Sequence, residues 1–565
     1  MKPVELTVSG NACTLTNGIL SMSWKEDGTL GVISKDGVEL VRNLPGCSDT
    51  GGKPAFYVDY HAEGTFYEFV DPELKIIEAS ERMIHIAYVE AAAYLKIEFH
   101  IILMQGESGF YSYVIGENNT DAPFELSEFR IVYRCGNRIF DHAYNRERKG
   151  LQPAHEYMEQ YEKLQDETYR LPDGEKYTNG DTYSKYDYAG YFSQNPMWGQ
   201  YGHGYGFFII PVSREYYPGG PLKQELLVHY DGIVLNYLTG AHFGNGSFHV
   251  PIGWKKFYGP VYQYFNQSDK PEELIADAWK VVQREQQKWP YKWVKDPLYP
   301  LIRSHVRGRI LFEDGTPCGH AMVIFGQKDL PFELQSAGYM YDTETDSNGW
   351  FELKNVRFGI YSLFAYQTGG ENTEQLQLDD IHIIEVEQEL GSFIWHLHRE
   401  KVVWQLGRAT RTCAGYRYAG ELRNYKWMAM VPETVHFYIG RSKEAEDWYY
   451  AQTHTGSWYI HFSLNQVPET DCHLVIAIAG ASRQGTEVRT LPSLTVFING
   501  HKLNEAVYVN DGAIYRSSTT NGRYHCLKLS IDPAILIVGE NCVRLAVKRG
   551  MIMYDTILLT QRWQR

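Results

Sequence analysis

Within the first forty residues, the turn pairs Asn17-Gly18, Asp27-Gly28 and Asp36-Gly37 each separate short runs of alternating apolar and polar residues. Such pairs supply the positive φ of a tight hairpin, while the period-two pattern turns one face of each strand inward and the other to water. The alternation returns in Tyr94-Leu95-Lys96-Ile97-Glu98-Phe99-His100-Ile101 and in Leu126-Ser127-Glu128-Phe129-Arg130-Ile131-Val132-Tyr133-Arg134. A chain that opens this way is confined to antiparallel β structure, and an α/β order is excluded.

With 565 residues the chain is too long for one core. The fold class expected is all-β and multidomain, divided at 1–295, 296–400 and 401–565. One helix interrupts the pattern: Ser268-Asp269-Lys270-Pro271-Glu272-Glu273 offers an N-cap, an early proline and an acidic first turn. Leu274, Ala278, Val281 and Val282 give its apolar stripe, and it should end before Pro290. Residues 149–179 are polar and loop-like, long enough to suggest a functional wall. Beyond Trp293, the segments Val306–Ile310, Asp314-Gly315, Ala321–Ile324 and Val356–Tyr361 predict a small seven-strand sandwich. Asp346-Ser347-Asn348-Gly349 is read as a hairpin turn, since it lacks the closing Glu of a calcium loop. A third β region starts near Lys401; its Trp448, Tyr449 and Trp458 could stack on sugars, but most of them are expected in the core.

Aromatic residues make up 14% of the chain, with 43 Tyr and 13 Trp, rigid faces well suited to sugar rings. A net charge of -15 argues against a general binder of nucleic acid or anionic membrane, and apolar runs such as Leu474–Ala479 are too short to span a bilayer. Positive charge concentrates locally: between Glu128 and Lys149, six cations oppose three carboxylates. The period-two spacing puts Arg130 and Arg134 on one strand face, roughly 13 Å apart at the backbone. The eight cysteines show no metal-ligand spacing and are expected as thiols. Met1–Leu6 lacks the apolar core of a secretory signal, which fits either a cytoplasmic protein acting on imported fragments or a secreted chain whose signal has been removed.

The most informative stretch runs from Ser184 to Gly246, where tyrosines and glycines surround Lys185 and His242. From composition alone these are a surface lysine and a hydrogen-bonded structural histidine; in a groove they could be a base and an acid. The runs Lys185-Tyr186-Asp187-Tyr188-Ala189-Gly190, Gly219-Gly220-Pro221-Leu222-Lys223-Gln224-Glu225-Leu226 and Gly240-Ala241-His242-Phe243-Gly244 resemble the rhamnogalacturonan endolyases of polysaccharide lyase family 4. That resemblance implies a galactose-mutarotase-like supersandwich, a fibronectin-III-like sandwich and a carbohydrate-binding-module-like jelly roll. It implies cleavage of the rhamnose-(1,4)-galacturonic acid bond of rhamnogalacturonan I by β-elimination, with Lys185 as base and His242 as acid or charge-stabilising partner.

Arg130 and Arg134 correspond to the family's arginine pair and would neutralise the galacturonate carboxylate; Tyr237 and Tyr186 would contact sugar. The family aromatic two residues before the histidine is Gly240 here, which removes one stacking contact. No cofactor is required in this scheme, and a structural calcium in an accessory domain is left open. A lysine base must be neutral, so neighbouring arginines and an alkaline optimum are expected. The partner is rhamnogalacturonan I, with no nucleic acid or membrane, and the working state is a monomer. Two other readings stand beside it: a glycoside hydrolase using Asp187, Glu225 or Asp231, and a non-catalytic carbohydrate-binding protein.

Overall fold

The computed structural model describes residues 2–41, 55–177, 180–244, 246–397, 400–485 and 490–562. The three turn pairs do close hairpins: strands Ala12–Thr16, Leu20–Trp24, Leu30–Lys35 and Val38–Glu39 follow one another antiparallel. They form one flank of an eleven-stranded sheet that continues through Phe56–Ala62, Phe124–Arg134 and Ile233–Gly240. A nine-stranded sheet includes Leu95–Met104, Gly109–Asn118, Lys255–Gln267 and Tyr205–Pro211.

The two sheets share one core. Phe56, Ile131 and Tyr133 of the first meet Phe99, Phe110, Phe207 and Phe265 of the second. Phe207 stacks on Phe265 at 4.6 Å and on Phe56 at 5.6 Å. Each such side chain contributes about 1.5–3 kcal/mol by leaving water.

The helix Pro271–Lys288 covers the other face of the nine-stranded sheet, where Leu274, Ala278, Val281 and Val282 pack with Ile102, Tyr111, Phe208 and Tyr262. Its cap differs from expectation. Lys270 holds the N-cap position without a side-chain cap, while Ser268 Oγ accepts from Lys270 N and donates to Glu273. The helix still stops at Lys288, ahead of Pro290.

Residues 149–177 are not a loop. They hold the strands Lys149–Leu151, Lys163–Gln165 and Thr168–Arg170 and two short helical turns, and Thr168–Arg170 pairs with Thr182–Ser184 beside Lys185. Alternation too brief to register over three residues hid these strands.

The central region has seven strands in sheets of three and four, around Val306, Phe325, Phe351 and Trp395. Asp346 accepts from the backbone of Asn348 and Trp350 and shapes a turn, but its flanking strands enter different sheets, so the segment joins two sheets and does not close the expected hairpin. The C-terminal region builds sheets of four and five strands around Trp448, Trp458 and Tyr554. Trp448 and Trp458 are fully buried there, whereas Tyr449 packs only at the margin. Seven cysteines are free thiols; Cys47 lies outside the described residues.

Candidate functional site

Strand Phe124–Arg134 sends Phe129, Ile131 and Tyr133 into the shared core and turns Glu128, Arg130, Val132 and Arg134 to the opposite side. There they line a cleft of about 400 Å³ with Tyr57, Tyr237, Lys185 and His242. The expected base, acid, arginine pair and Tyr237 are therefore brought together from segments that together span more than a hundred residues of the chain. Glu167, His155, His229 and Asp231 also line it. Glu167 and Asp231 both hold positive φ, at 41° and 67°, a strain of roughly 1–3 kcal/mol for a non-glycine residue.

The cleft is not a basic patch. Arg130 is clamped by Asp59, with Nε 2.7 Å from Oδ1, and by Glu128 at 3.0 Å, and it donates to Tyr237 Oη at 2.8 Å. Arg148 points elsewhere, donating to the carbonyls of Asp187 and Arg423. The excess of cations between 128 and 149 is thus spent on different faces. Arg134 differs: it donates to Tyr57 Oη at 3.2 Å, and among the described residues no carboxylate pairs with it.

Lys185, with a side chain 14% exposed, sits 3.1 Å from Glu167 and 3.3 Å from Asp166. The neighbours that grip it are carboxylates, where arginines were expected. Glu167 also meets His229 Nε2 at 3.0 Å and accepts from Tyr230 Oη at 2.8 Å. Burial pushes its pKa up, but His229, Lys185 and Tyr230 outweigh that and hold it well below the usual glutamate range. His229 is itself pushed down by burial, with Glu167 opposing.

His242 lies between two acids. Its Nδ1 is 2.6 Å from Glu225 and its Nε2 3.5 Å from Glu128. Glu225 is fully buried and is braced by Lys223, whose Nζ is 3.0 Å away and also donates to the Gly240 carbonyl. Burial would raise Glu225, yet Lys223 and then His242 bring it well below its ordinary value. Gly240 leaves this room: a Cβ there would stand 2.4 Å from Glu225 Oε2.

Tyr186 does not line the cleft. Its ring is 0% exposed, and it lies under Lys185 with its hydroxyl donating to Asp166 at 2.7 Å. It supports the site from behind, since alternating tyrosines in a turn cannot declare which ring faces solvent. The hydrolase carboxylates fare worse. Asp187 is buried away from the cleft with its pKa pushed up to about 6 by burial, Glu225 is enclosed, and Asp231 is tied to Asn137 and the His155 amide. Asp59, Glu167 and His229 went unnoticed in the sequence; the only signal there was that every buried cation needs a counter-charge.

Among the described residues no group of three or more His, Cys, Asp or Glu could hold a metal ion, and no helix is long and apolar enough to cross a membrane. Compared with known proteins, residues 1–169 match the rhamnogalacturonate lyase family. Residues 315–387 match domain II of polysaccharide lyase family 4, and residues 402–559 match its domain III, described as CBM-like. A rhamnogalacturonate lyase of Dickeya dadantii (strain 3937) is 39% identical over 561 residues, spanning 99% of this chain and 95% of its own length. A probable rhamnogalacturonate lyase B of Aspergillus flavus is 24% identical over 650 residues, spanning 98% and 95%. Rhamnogalacturonate lyase B of Emericella nidulans is 25% identical over 400 residues, spanning 61% and 57%.

Proposed function

The chain belongs to the rhamnogalacturonate lyases of polysaccharide lyase family 4, and from that premise we propose that the cleft cuts the rhamnose-(1,4)-galacturonic acid bond of rhamnogalacturonan I by β-elimination. The observation that carries the reading is the meeting in one cleft of Lys185, His242 and an arginine, Arg134, that no described carboxylate engages. A guanidinium binds a carboxylate as a fork, so Arg134 takes the galacturonate carboxylate and stabilises the charge that grows on it when the C5 proton leaves. Arg130, fixed by Asp59, sets the second contact.

Lys185 is the base of the reaction. Its neutral amine takes the C5 proton. The electron pair forms the C4=C5 double bond as the C4–O4 bond breaks, and O4 is protonated by His242. With Nδ1 held against Glu225, Nε2 is the nitrogen available to that oxygen. Tyr237, which burial keeps as a phenol, orients Arg130 and offers the sugar a ring edge. No metal enters the scheme.

The finer fold assignments accompany this reading: a supersandwich over 1–295, a fibronectin-III-like sandwich over 296–400 and a jelly roll over 401–565. The domain II and domain III matches support the second and third of these.

The test is ultraviolet absorbance during incubation with rhamnogalacturonan in the presence of chelator. Wild type should accumulate an unsaturated product, and Lys185→Ala and His242→Ala should each lose about 10²–10⁴-fold in rate, the usual contribution of a positioned acid or base. New reducing ends without absorbance would mean hydrolysis; binding with neither signal would mean a recognition protein.

A further inference from the structure

The loops carrying Lys185 and His242 are finished by the C-terminal region. Tyr186 and Phe243, the next residues after Lys185 and His242, form a small separate core with Ala189 and with Ala513. Around it run hydrogen bonds between residues far apart in sequence. Gly244 N donates to Asp511 O at 3.1 Å, Gln165 Nε2 to Tyr515 O at 2.5 Å, and Tyr191 Oη to Asn521 at 2.5 Å.

Arg516 stands at the centre. Its guanidinium donates to the His242 carbonyl at 2.5 Å and lies over the Tyr186 ring, 5.2 Å from its centroid. Tyr186 in turn holds Asp166, which holds Lys185. One side chain thus bears on both members of the expected catalytic pair.

The segment that presents it is rigid by construction. The buried Asp511 carboxylate accepts from the amides of Ala481, Ala513 and Arg523 and from Ser482 Oγ, tying the segment to the end of strand Cys472–Ser482. Gly512, at φ +68°, leaves the gap through which Arg516 reaches: a Cβ there would come within 2.5 Å of the guanidinium and 3.0 Å of the His242 carbonyl.

We infer that Arg516 is a positioning residue for elimination, fixing His242 and Lys185 relative to one another, so that the C-terminal region completes the catalytic centre. This rests on the lyase reading. A displacement of either group by about 1 Å is enough to cost about 10²-fold in rate.

The experiment uses the full chain as wild type, Arg516→Met, Arg516→Lys and the control Arg417→Met, a C-terminal arginine packed on Tyr418 and Tyr449 away from the cleft. Two quantities are read: kcat and KM on rhamnogalacturonan, and the imidazole NMR signal of His242, recognised by its loss in His242→Ala. In Arg516→Met, kcat should fall about 10²-fold with KM little changed and the His242 signal displaced; Arg516→Lys should recover part of both, and Arg417→Met should match wild type. Should Arg516→Met fail to fold, Arg516→Lys, retaining charge without the fork, decides the question by the same two readings. An unmoved His242 signal, or a rise in KM at constant kcat, overturns the inference. A wild type that releases no unsaturated product sinks the lyase reading alone, because the NMR arm still reports whether Arg516 holds His242.

Discussion

Two parts of the molecule withdraw carboxylates from water, Glu225, Asp511 and Asp555 completely and Glu167 in part, and treat them oppositely. In the cleft wall, Glu167 and Glu225 stay ionised because His229, Lys185, Lys223 and His242 surround them. In the C-terminal interior, burial raises Asp511 and carries Asp555 up to about 7, with Ser, Thr and backbone donors as the main opposition. Burial alone therefore marks nothing. What separates these four is the company they keep, buried cations beside the cleft pair and neutral donors beside the C-terminal pair; Glu215, held below its ordinary value by Arg357 and Arg303 outside the cleft, shows that such pairing also serves structure.

The sharpest way to break this contrast is to remove one charge on each side. Glu225→Gln strands Lys223 as a buried ammonium without its carboxylate and should cost about 3–5 kcal/mol in urea unfolding. The double variant Lys223→Met/Glu225→Gln should regain much of that. If Glu225→Gln is as stable as wild type, Lys223 and Glu225 are both uncharged in the folded protein and the contrast collapses.

Acid should separate the two regions less strongly, and with opposite signs. Glu167 and Glu225 have folded values below the ordinary glutamate value of 4.5, so the unfolded chain takes up their protons first. Their stabilisation is complete above 4.5 and is lost as pH falls below it. Asp555, raised from 3.8 to about 7, binds its proton first in the folded state. Its contribution is complete below 3.8 and is lost as pH rises through 7. Hydrogen exchange between pH 7 and 3 should show protection near the cleft weakening below pH 4.5 while protection around strand Met551–Gln561 holds. Equal weakening in both would contradict the assignment.

The smallest effect is expected from Asp555→Asn. The amide still accepts from Thr410, and its NH2 replaces an oxygen, Oδ2, that has no hydrogen-bond partner. Stability at neutral pH should change by about 1 kcal/mol or less, with the pH dependence between 4 and 7 diminished.

Much of this was legible in the sequence. Turn pairs and period-two alternation give the hairpins, the apolar stripe gives the helix, and the spacing of Arg130 and Arg134 gives one face of a cleft strand. What escaped is what depends on pairing across the chain. Asp59 reaches Arg130 from 71 residues away, and Glu167 reaches His229 from 62. Tyr186 was misplaced because ring burial there depends on Ala513 and Arg516, which local pattern cannot see.

The brace from Asp511 to Arg523 bears also on how the protein is made. Its hydrogen bonds to the cleft loops join residues 274, 330 and 350 positions apart. During synthesis, the earlier sheets can fold as they emerge, but the loops bearing Lys185 and His242 wait for almost the last tenth of the chain. A nascent or C-terminally clipped polypeptide would be folded over most of its length and catalytically silent, so that activity reports completion of the molecule.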